Sequence, residues 1–137
     1  MGDFDRNIKD AQWIDAEAAL PTANGTSYSA DFDLGDDVHK PEEIELEVVV
    51  PDLTTTHLPD ADTLTVGIAA GASANPTTLI LAAILVLTGA GAAGSSGPDK
   101  VRVRLPADCP RYVRAQFVAA GGTGDISAVD ATVQLLF

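Results

Sequence analysis

Apolar and polar residues alternate one by one over much of this chain, which has 137 residues. In the stretch EEIELEVVV, Ile44, Leu46 and Val48 share one face of an extended strand, while Glu45 and Glu47 share the other. This period of two is typical of strands that bury one face, because successive side chains point to opposite sides of a sheet. The same pattern occurs in TSYSADFDL (26–34), TLTVGIAA (63–70), VRVRL (101–105), RYVRAQF (111–117) and SAVDATVQLLF (127–137).

Residues that favour turns separate these stretches. The 12 glycines and 8 prolines are spread along the chain, and they cluster with Asp and Asn between the alternating runs. Seven or eight short strands joined by such turns predict an all-β protein, either a sandwich or a barrel. In TSYSADFDL the alternation predicts that one face carries Tyr28, Ala30, Phe32 and Leu34.

The first 20 residues differ from the rest. DRNIKDAQWIDAEAAL (5–20) lacks a clean apolar stripe, so it predicts an extended arm, or at most a short helix, before the first strand. We find no linker and no repeat after it. The sequence therefore predicts an N-terminal arm (1–20) followed by one domain (21–137), a size that can bury a single core.

The most apolar stretch is LILAAILVL (79–87), which has nine residues and no charge. A membrane-spanning helix needs about 20 apolar residues. The following TGAGAAGSSG is rich in glycine and polar residues. We therefore predict a strand that is buried on both faces.

Charge restricts the partners. The chain has 20 acidic and 8 basic side chains, a formal net charge of −12 at pH 7. Such an anionic surface repels phosphate backbones and anionic lipid headgroups, so we expect neither nucleic acid nor a membrane as a partner. The opening MGDFDRNIKDAQ lacks the basic and apolar regions of a signal peptide, which favours a protein made in the cytoplasm.

LPADCPRYVRAQF holds the only cysteine of the chain, Cys109. A catalytic thiolate needs a nearby base. The neighbouring Asp108 would raise the pKa of the thiol, and no glycine-rich elbow surrounds it. We therefore interpret the stretch as a corner between two strands.

Metal sites are weakly indicated. The only histidines, His39 and His57, fit no zinc spacing. The acidic turns DLGDD (33–37) and PDADT (59–63) contain oxygen ligands suited to calcium, but neither has the helix–loop–helix pattern, and solvated turns are the favoured interpretation. We expect no enzyme activity and no cofactor.

Five of the eight basic residues lie between positions 100 and 114. VRVRL and RYVRAQF are predicted to pair as a hairpin across PADCP, so that their polar faces form one basic patch. Two compatible interpretations are cross-strand pairing with Glu43, Glu45 and Glu47, and docking of an acidic partner or a second copy of the chain. The only tryptophan, Trp13, either anchors an interface or folds back on its own domain. The candidate interface residues are Trp13, Arg102, Arg104, Arg111, Tyr112 and Arg114.

VRVRLPADCPRYVRAQF, followed by GGTGDISA, resembles the C-terminal half of the Bbp16-like capsid cement proteins of tailed bacteriophages. The shared pattern is a strand ending in RLP, a short turn, RY-hydrophobic-R, a glycine-rich turn and a final strand. Asp10-Ala11-Gln12, the later Asp33-Leu34-Gly35 and the alanine- and glycine-rich middle are also similar to that family. The resemblance covers most of the chain as an ordered series of short motifs.

The resemblance implies a jelly-roll β-sandwich of about eight antiparallel strands on the outer capsid surface of a virion. It implies binding to the major capsid protein and to further copies of the chain, as a dimer or a trimer, without any chemistry. It assigns no binding residue. The alternative function is a β-sandwich adhesion module that binds carbohydrate or calcium, which would need clustered surface aromatics and acidic ligands.

Overall fold

A computed structural model of the chain describes residues 14–34, 44–54, 57–59, 61–89, 99–106, 108–121 and 125–136. This part of the chain contains strands and no helix, which confirms the predicted all-β class. The strands are β1 (Ile14–Ala19), β2 (Thr26–Tyr28), β3 (Phe32–Asp33), β4 (Glu45–Val50), β5 (Thr63–Gly71), β6 (Leu79–Thr88), β7 (Asp99–Arg104), β8 (Tyr112–Ala120) and β9 (Asp130–Leu136).

The strands form two antiparallel sheets. Sheet A has the order β1-β9-β4-β7, and sheet B has the order β2-β8-β5-β6, with β3 also paired to β8. The inward-facing residues of both sheets belong to one buried cluster, which identifies a sandwich. Fully buried members include Leu46 and Val133 from sheet A and Val66, Ile68 and Phe117 from sheet B. Burying each of these side chains contributes roughly 1.5–3 kcal/mol.

The prediction of an arm over residues 1–20 is wrong for its described part. Residues 14–19 form β1, an edge strand of sheet A paired with β9 from Ile14↔Gln134 to Ala19↔Asp130. Ala18 and Leu20 are buried in the core. A bulge between Asp15 and Ala18 interrupts the alternation, and the Asp15 carboxylate accepts hydrogen bonds from the N–H groups of Glu17 and Ala30 there. This bulge explains why the periodicity of the segment is weak.

The predicted hairpin between VRVRL and RYVRAQF is also wrong. β7 pairs with β4 in sheet A, whereas β8 pairs with β5 in sheet B. The corner between them therefore crosses from one sheet to the other. Each strand has one apolar face, and the two faces meet across the core instead of lying side by side in one sheet.

The stretch TSYSADFDL is two short strands rather than one. Tyr28 pairs with Gln116 on the outer face, whereas Phe32 is buried opposite Val113. Between them Ser29 is buried and Ala30 is exposed, so the predicted common face is wrong. The Ser29 hydroxyl accepts a hydrogen bond from the Ala115 N–H and donates one to the Ala30 carbonyl, which stabilises this break.

LILAAILVL forms most of β6, but the prediction that both its faces are buried is wrong. β6 lies at the end of sheet B and pairs only with β5 among the described strands. Its pairing with β5 is regular from Leu85 to Thr88 and shifts register further back. As a result Leu79 and Val86 are 39% and 53% exposed.

Candidate interface surfaces

Sheet A holds the first group of basic residues. Arg102 lies on β7 directly opposite Glu47 of β4. Its Nε and Nη2 atoms donate to Oε2 of Glu47 at 3.2 and 2.8 Å, and its Nε lies 3.8 Å from the Glu45 carboxylate. Gln134 of β9 donates to the other oxygen of Glu47 at 2.5 Å. Glu47 is thus held from both sides, and the predicted pairing of Arg102 with Glu45 and Glu47 is confirmed.

The electrostatics of Glu47 follow from these contacts. Burial of the side chain, which is 6% exposed, raises its pKa. The hydrogen bonds from Arg102 and Gln134 and the charges of Arg102 and Lys100 outweigh that effect, so the pKa of Glu47 lies below its ordinary value of 4.5. The hydrogen bond to Glu47 and the charges of Glu47 and Glu45 raise the pKa of Arg102. The buried carboxylate therefore stays ionised and fixes Arg102 on the sheet surface.

Lys100 and Arg104 flank Arg102 on the same outward face of β7, and both are exposed. Arg104 lies opposite Glu45, and Lys100 lies opposite Val49. The edge of sheet A therefore presents three cations in a row to solvent.

Arg114 lies on β8 in sheet B, and its side chain packs against other side chains on the outer surface of that sheet. Its guanidinium carbon lies 3.8 Å from the centre of the Tyr28 ring, and its Nε donates to the Pro76 carbonyl at 2.8 Å. Asp31 Oδ1 lies 3.9 Å from that Nε, beyond hydrogen-bond distance. The side chain of Arg114 is 11% exposed, so its charge is mostly covered.

Arg111 and Tyr112 lie at the start of β8. Arg111 donates from Nε and Nη2 to the two oxygens of Asp33 at 2.8 and 2.9 Å, a bidentate pair. Its guanidinium carbon also lies 5.0 Å from the centre of the Tyr112 ring. Guanidinium groups thus cover one ring face of both described tyrosines, Tyr28 and Tyr112.

The predicted single basic patch is therefore wrong. Arg102 and Arg104 belong to sheet A, whereas Tyr112 and Arg114 belong to sheet B and Arg111 immediately precedes its strand β8. Trp13 and Glu43 lie outside the described residues, so their predicted roles remain predictions.

Cys109 occupies the corner between β7 and β8, as the sequence predicts. It is buried against the core, and its N–H donates to the Pro106 carbonyl. His57 contacts Thr54 within its own turn, where Nδ1 lies 3.1 Å from the Thr54 hydroxyl. Among the described residues no three His, Cys, Asp or Glu side chains cluster as a metal site would require. His39, Asp36, Asp37 and Asp60 lie outside this part.

Sequence reasoning missed a second surface, which is distinguished by its lack of charge. The described strands of sheet A carry nine ionisable side chains: Asp15, Glu17, Glu45, Glu47, Asp99, Lys100, Arg102, Arg104 and Asp130. Those of sheet B carry only Asp33 and Arg114, apart from the tyrosines. A signal was present in the sequence, because residues 63–98 contain no Asp, Glu, Lys or Arg. No described helix is long and apolar enough to span a membrane.

Comparison of the chain with protein-family models and with curated protein sequences found no match.

Proposed function

We propose that this chain is a phage capsid decoration protein, which binds the outer surface of the major capsid protein shell as a homo-oligomer and stabilises the head without catalysis. The order of the C-terminal motifs carries the proposal. RLP (104–106) lies at the end of β7, RYVR (111–114) lies at the start of β8, and the segment GGTG (121–124) precedes β9 in the sequence. Gly121, the first residue of that segment, has a φ of 117°, and the Asp62 carboxylate occupies the place that a side chain would need.

The strand order supports a jelly-roll topology for the sandwich. β2 and β3 count as one strand because both pair with β8. The first strand then pairs with the last, the second with the last but one, and this continues to the pair of β5 and β6. Rolling up one long hairpin produces this pairing and the two sheets of a jelly roll, a fold found in viral capsid proteins.

The charge distribution supports a docking role for β7. On a chain of net charge −12, the edge of sheet A presents Lys100, Arg102 and Arg104 outward. An acidic strip on the capsid protein would meet these cations, while the remaining negative charge would limit binding elsewhere. We propose Lys100 and Arg104 as the main contacts, since Arg102 is already engaged by Glu47.

Repeated weak contacts suit this function. A decoration protein meets its binding site many times on one shell, and each bound copy sits at high effective concentration beside the next. A modest contact surface on each copy is then sufficient for stable coverage.

Sedimentation velocity of the purified protein, alone and with phage heads stripped of it, tests the proposal. We expect co-sedimentation that saturates at a fixed number of copies per head. Heads lacking the protein should also rupture at lower temperature or at low salt. A protein that stays in the supernatant at every concentration, beside heads of unchanged stability, would contradict the proposal.

A further inference from the structure

We propose that the exposed edge of β6 pairs with β6 of a second copy of this chain, across a two-fold axis at Val86. This inference rests on the proposed function, because it names the surface through which the proposed homo-oligomer forms. It is tested on the purified protein, without phage heads.

The four sheet edges differ in how well they are protected against pairing with another chain. An exposed strand edge invites pairing with another chain, and proteins protect such edges with charge, bulges or short strands. β1 carries Asp15, Glu17 and a bulge, β7 carries alternating cations, and β2 is three residues long. β6 has ten residues, no charge and no proline. Its register shifts lie before Leu85, so the part from Leu85 onward has the least protection against pairing among the described edges.

Electrostatic repulsion between copies favours the same edge. Two copies with a net charge of −12 each repel one another, so association is least unfavourable through a surface without charge. β5 and β6 contain no ionisable side chain, and the only cation within β8, Arg114, is covered by Tyr28. Around β6 the outer surface of sheet B is therefore uncharged over three adjacent strands, apart from that covered guanidinium.

The geometry of antiparallel strands determines where a two-fold axis can lie. Residues Leu85–Thr88 pair regularly with Thr63–Val66, so every second N–H and C=O group in this part of β6 points away from β5. A two-fold axis perpendicular to the sheet must place like faces opposite one another, which puts one residue opposite its own copy. With the axis at Val86, the exposed valines meet, and Leu85 lies opposite Leu87 of the second copy. Sheet B then continues across both copies with its apolar face inward.

The structure offers a matched control. Thr26, Val118, Thr65 and Val86 lie side by side on the outer face of sheet B, in one row across the four strands. Thr26 and Val86 occupy the two ends of this row, and both are exposed. Lysine at either position changes the net charge equally, so the two variants differ only in the edge that receives it.

The test is sedimentation equilibrium of the wild-type chain, Val86→Lys and Thr26→Lys. We expect a wild-type dimer, a dimer dissociation constant about 100-fold higher in Val86→Lys because two cations meet at the axis, and little change in Thr26→Lys. A wild-type chain that is monomeric at every concentration, or equal effects of the two lysines, would overturn the inference. Either result would leave the head-binding test of the proposed function unaffected.

A cross-linking experiment provides a second test that does not depend on the lysine variant. Val86→Cys should oxidise to a covalent dimer, because opposite residues in a strand pair bring their Cβ atoms close together. The native Cys109 is 2% exposed and should not compete. Thr26→Cys is the control, and equally slow dimer formation in both variants would overturn the proposed axis.

Discussion

The two sheets of this sandwich bury the same kind of core but present different outer faces. Sheet A carries the ion pairs of Arg102 with Glu45 and Glu47, of which the Glu47 contact at 2.8 Å is the more buried. In sheet B, β5 and β6 consist of Thr, Gly, Ala and aliphatic residues, and two carbonyl oxygens of β6 lie directly over Gly67 of β5. This difference separates the two surfaces of our proposals: the edge cations of sheet A for docking and the uncharged β6 edge of sheet B for self-pairing.

The largest effect on stability is expected from Gly67→Ala in sheet B. A Cβ atom at this position would lie 2.8 Å from the Ala82 carbonyl oxygen and 2.9 Å from that of Leu81. Backbone oxygens cannot move aside without displacing β6, so we expect a loss of about 1–3 kcal/mol in the free energy of unfolding, measured by chemical denaturation.

Gly71→Ala is the control on the same strand and the same outer face. Its nearest neighbour would be the Pro76 Cβ at 3.1 Å, a smaller overlap. Equal losses of unfolding free energy in Gly67→Ala and Gly71→Ala would show that the β6 backbone over Gly67 does not limit side-chain size there.

Arg114→Lys tests whether the covered cation of sheet B is structural. Lysine keeps the charge but loses the planar group that stacks on Tyr28 and reaches the Pro76 carbonyl. We expect destabilisation of roughly 1–2 kcal/mol by chemical denaturation. Arg111→Lys, at a more exposed pair with Asp33, should cost less. The reverse order would contradict the assignment of Arg114 to packing.

Glu47→Gln tests the ion-pair surface of sheet A. The amide keeps the shape of the carboxylate but loses the charge that binds Arg102, so we expect about 1 kcal/mol of destabilisation at neutral pH. Glu45→Gln is the control, because its carboxylate lies 3.8 Å from Arg102 and is more exposed. If both variants lose equal stability, the buried position of Glu47 is unimportant.

The same variant predicts a pH dependence. The pKa of Glu47 is lower in the folded chain than its ordinary value of 4.5. Its contribution is therefore complete above that value and is lost as the pH falls through the lower pKa of the folded state. Thermal unfolding from neutral pH to below 4.5 should show a smaller acid loss in Glu47→Gln than in the wild-type chain. Identical pH profiles would contradict this prediction.

The smallest effect on stability, with a measurable effect on binding, is expected from the double variant Lys100→Gln and Arg104→Gln. Both side chains are exposed, so unfolding should be unchanged within error. Head binding should weaken about 10-fold at low salt and less at high salt, where charges are screened. Binding that is unaffected at low salt would remove β7 from the proposed docking surface.

Much of the fold was predictable from the chain alone. The alternation in EEIELEVVV and TLTVGIAA correctly placed Leu46, Val48, Val66 and Ile68 in the core. It failed for β1, where the bulge at Asp15–Ala18 interrupts the period, and for TSYSADFDL, where the strand breaks at Ser29. Local periodicity indicates which residues share one face of a regular strand. It assigns residues to the wrong face wherever the strand bulges or ends, because the alternation changes there.

The candidate site was predictable in composition but not in arrangement. Their proximity in the sequence suggested that the four arginines between positions 102 and 114 share a patch. The chain crosses from sheet A to sheet B at the corner containing Cys109, so the arginines before and after it lie on different sheets. Pairing partners in this fold are far apart along the chain, as Glu47 and Arg102 show. The choice between a hairpin and a crossing is made by the long-range pairing energy of whole strands, which adjacent residues do not encode.

By itself the sequence determined that this protein is an all-β chain with one core, strong negative charge and a charge-free stretch over residues 63–98. These properties follow from composition and local periodicity, which depend only on neighbouring residues. The tertiary structure decided that LILAAILVL lies at a sheet edge, that the basic residues separate, and that Glu47 is buried by Arg102 and Gln134. Those outcomes depend on which distant strands pair, because a strand is covered or exposed only by its neighbours in the sheet.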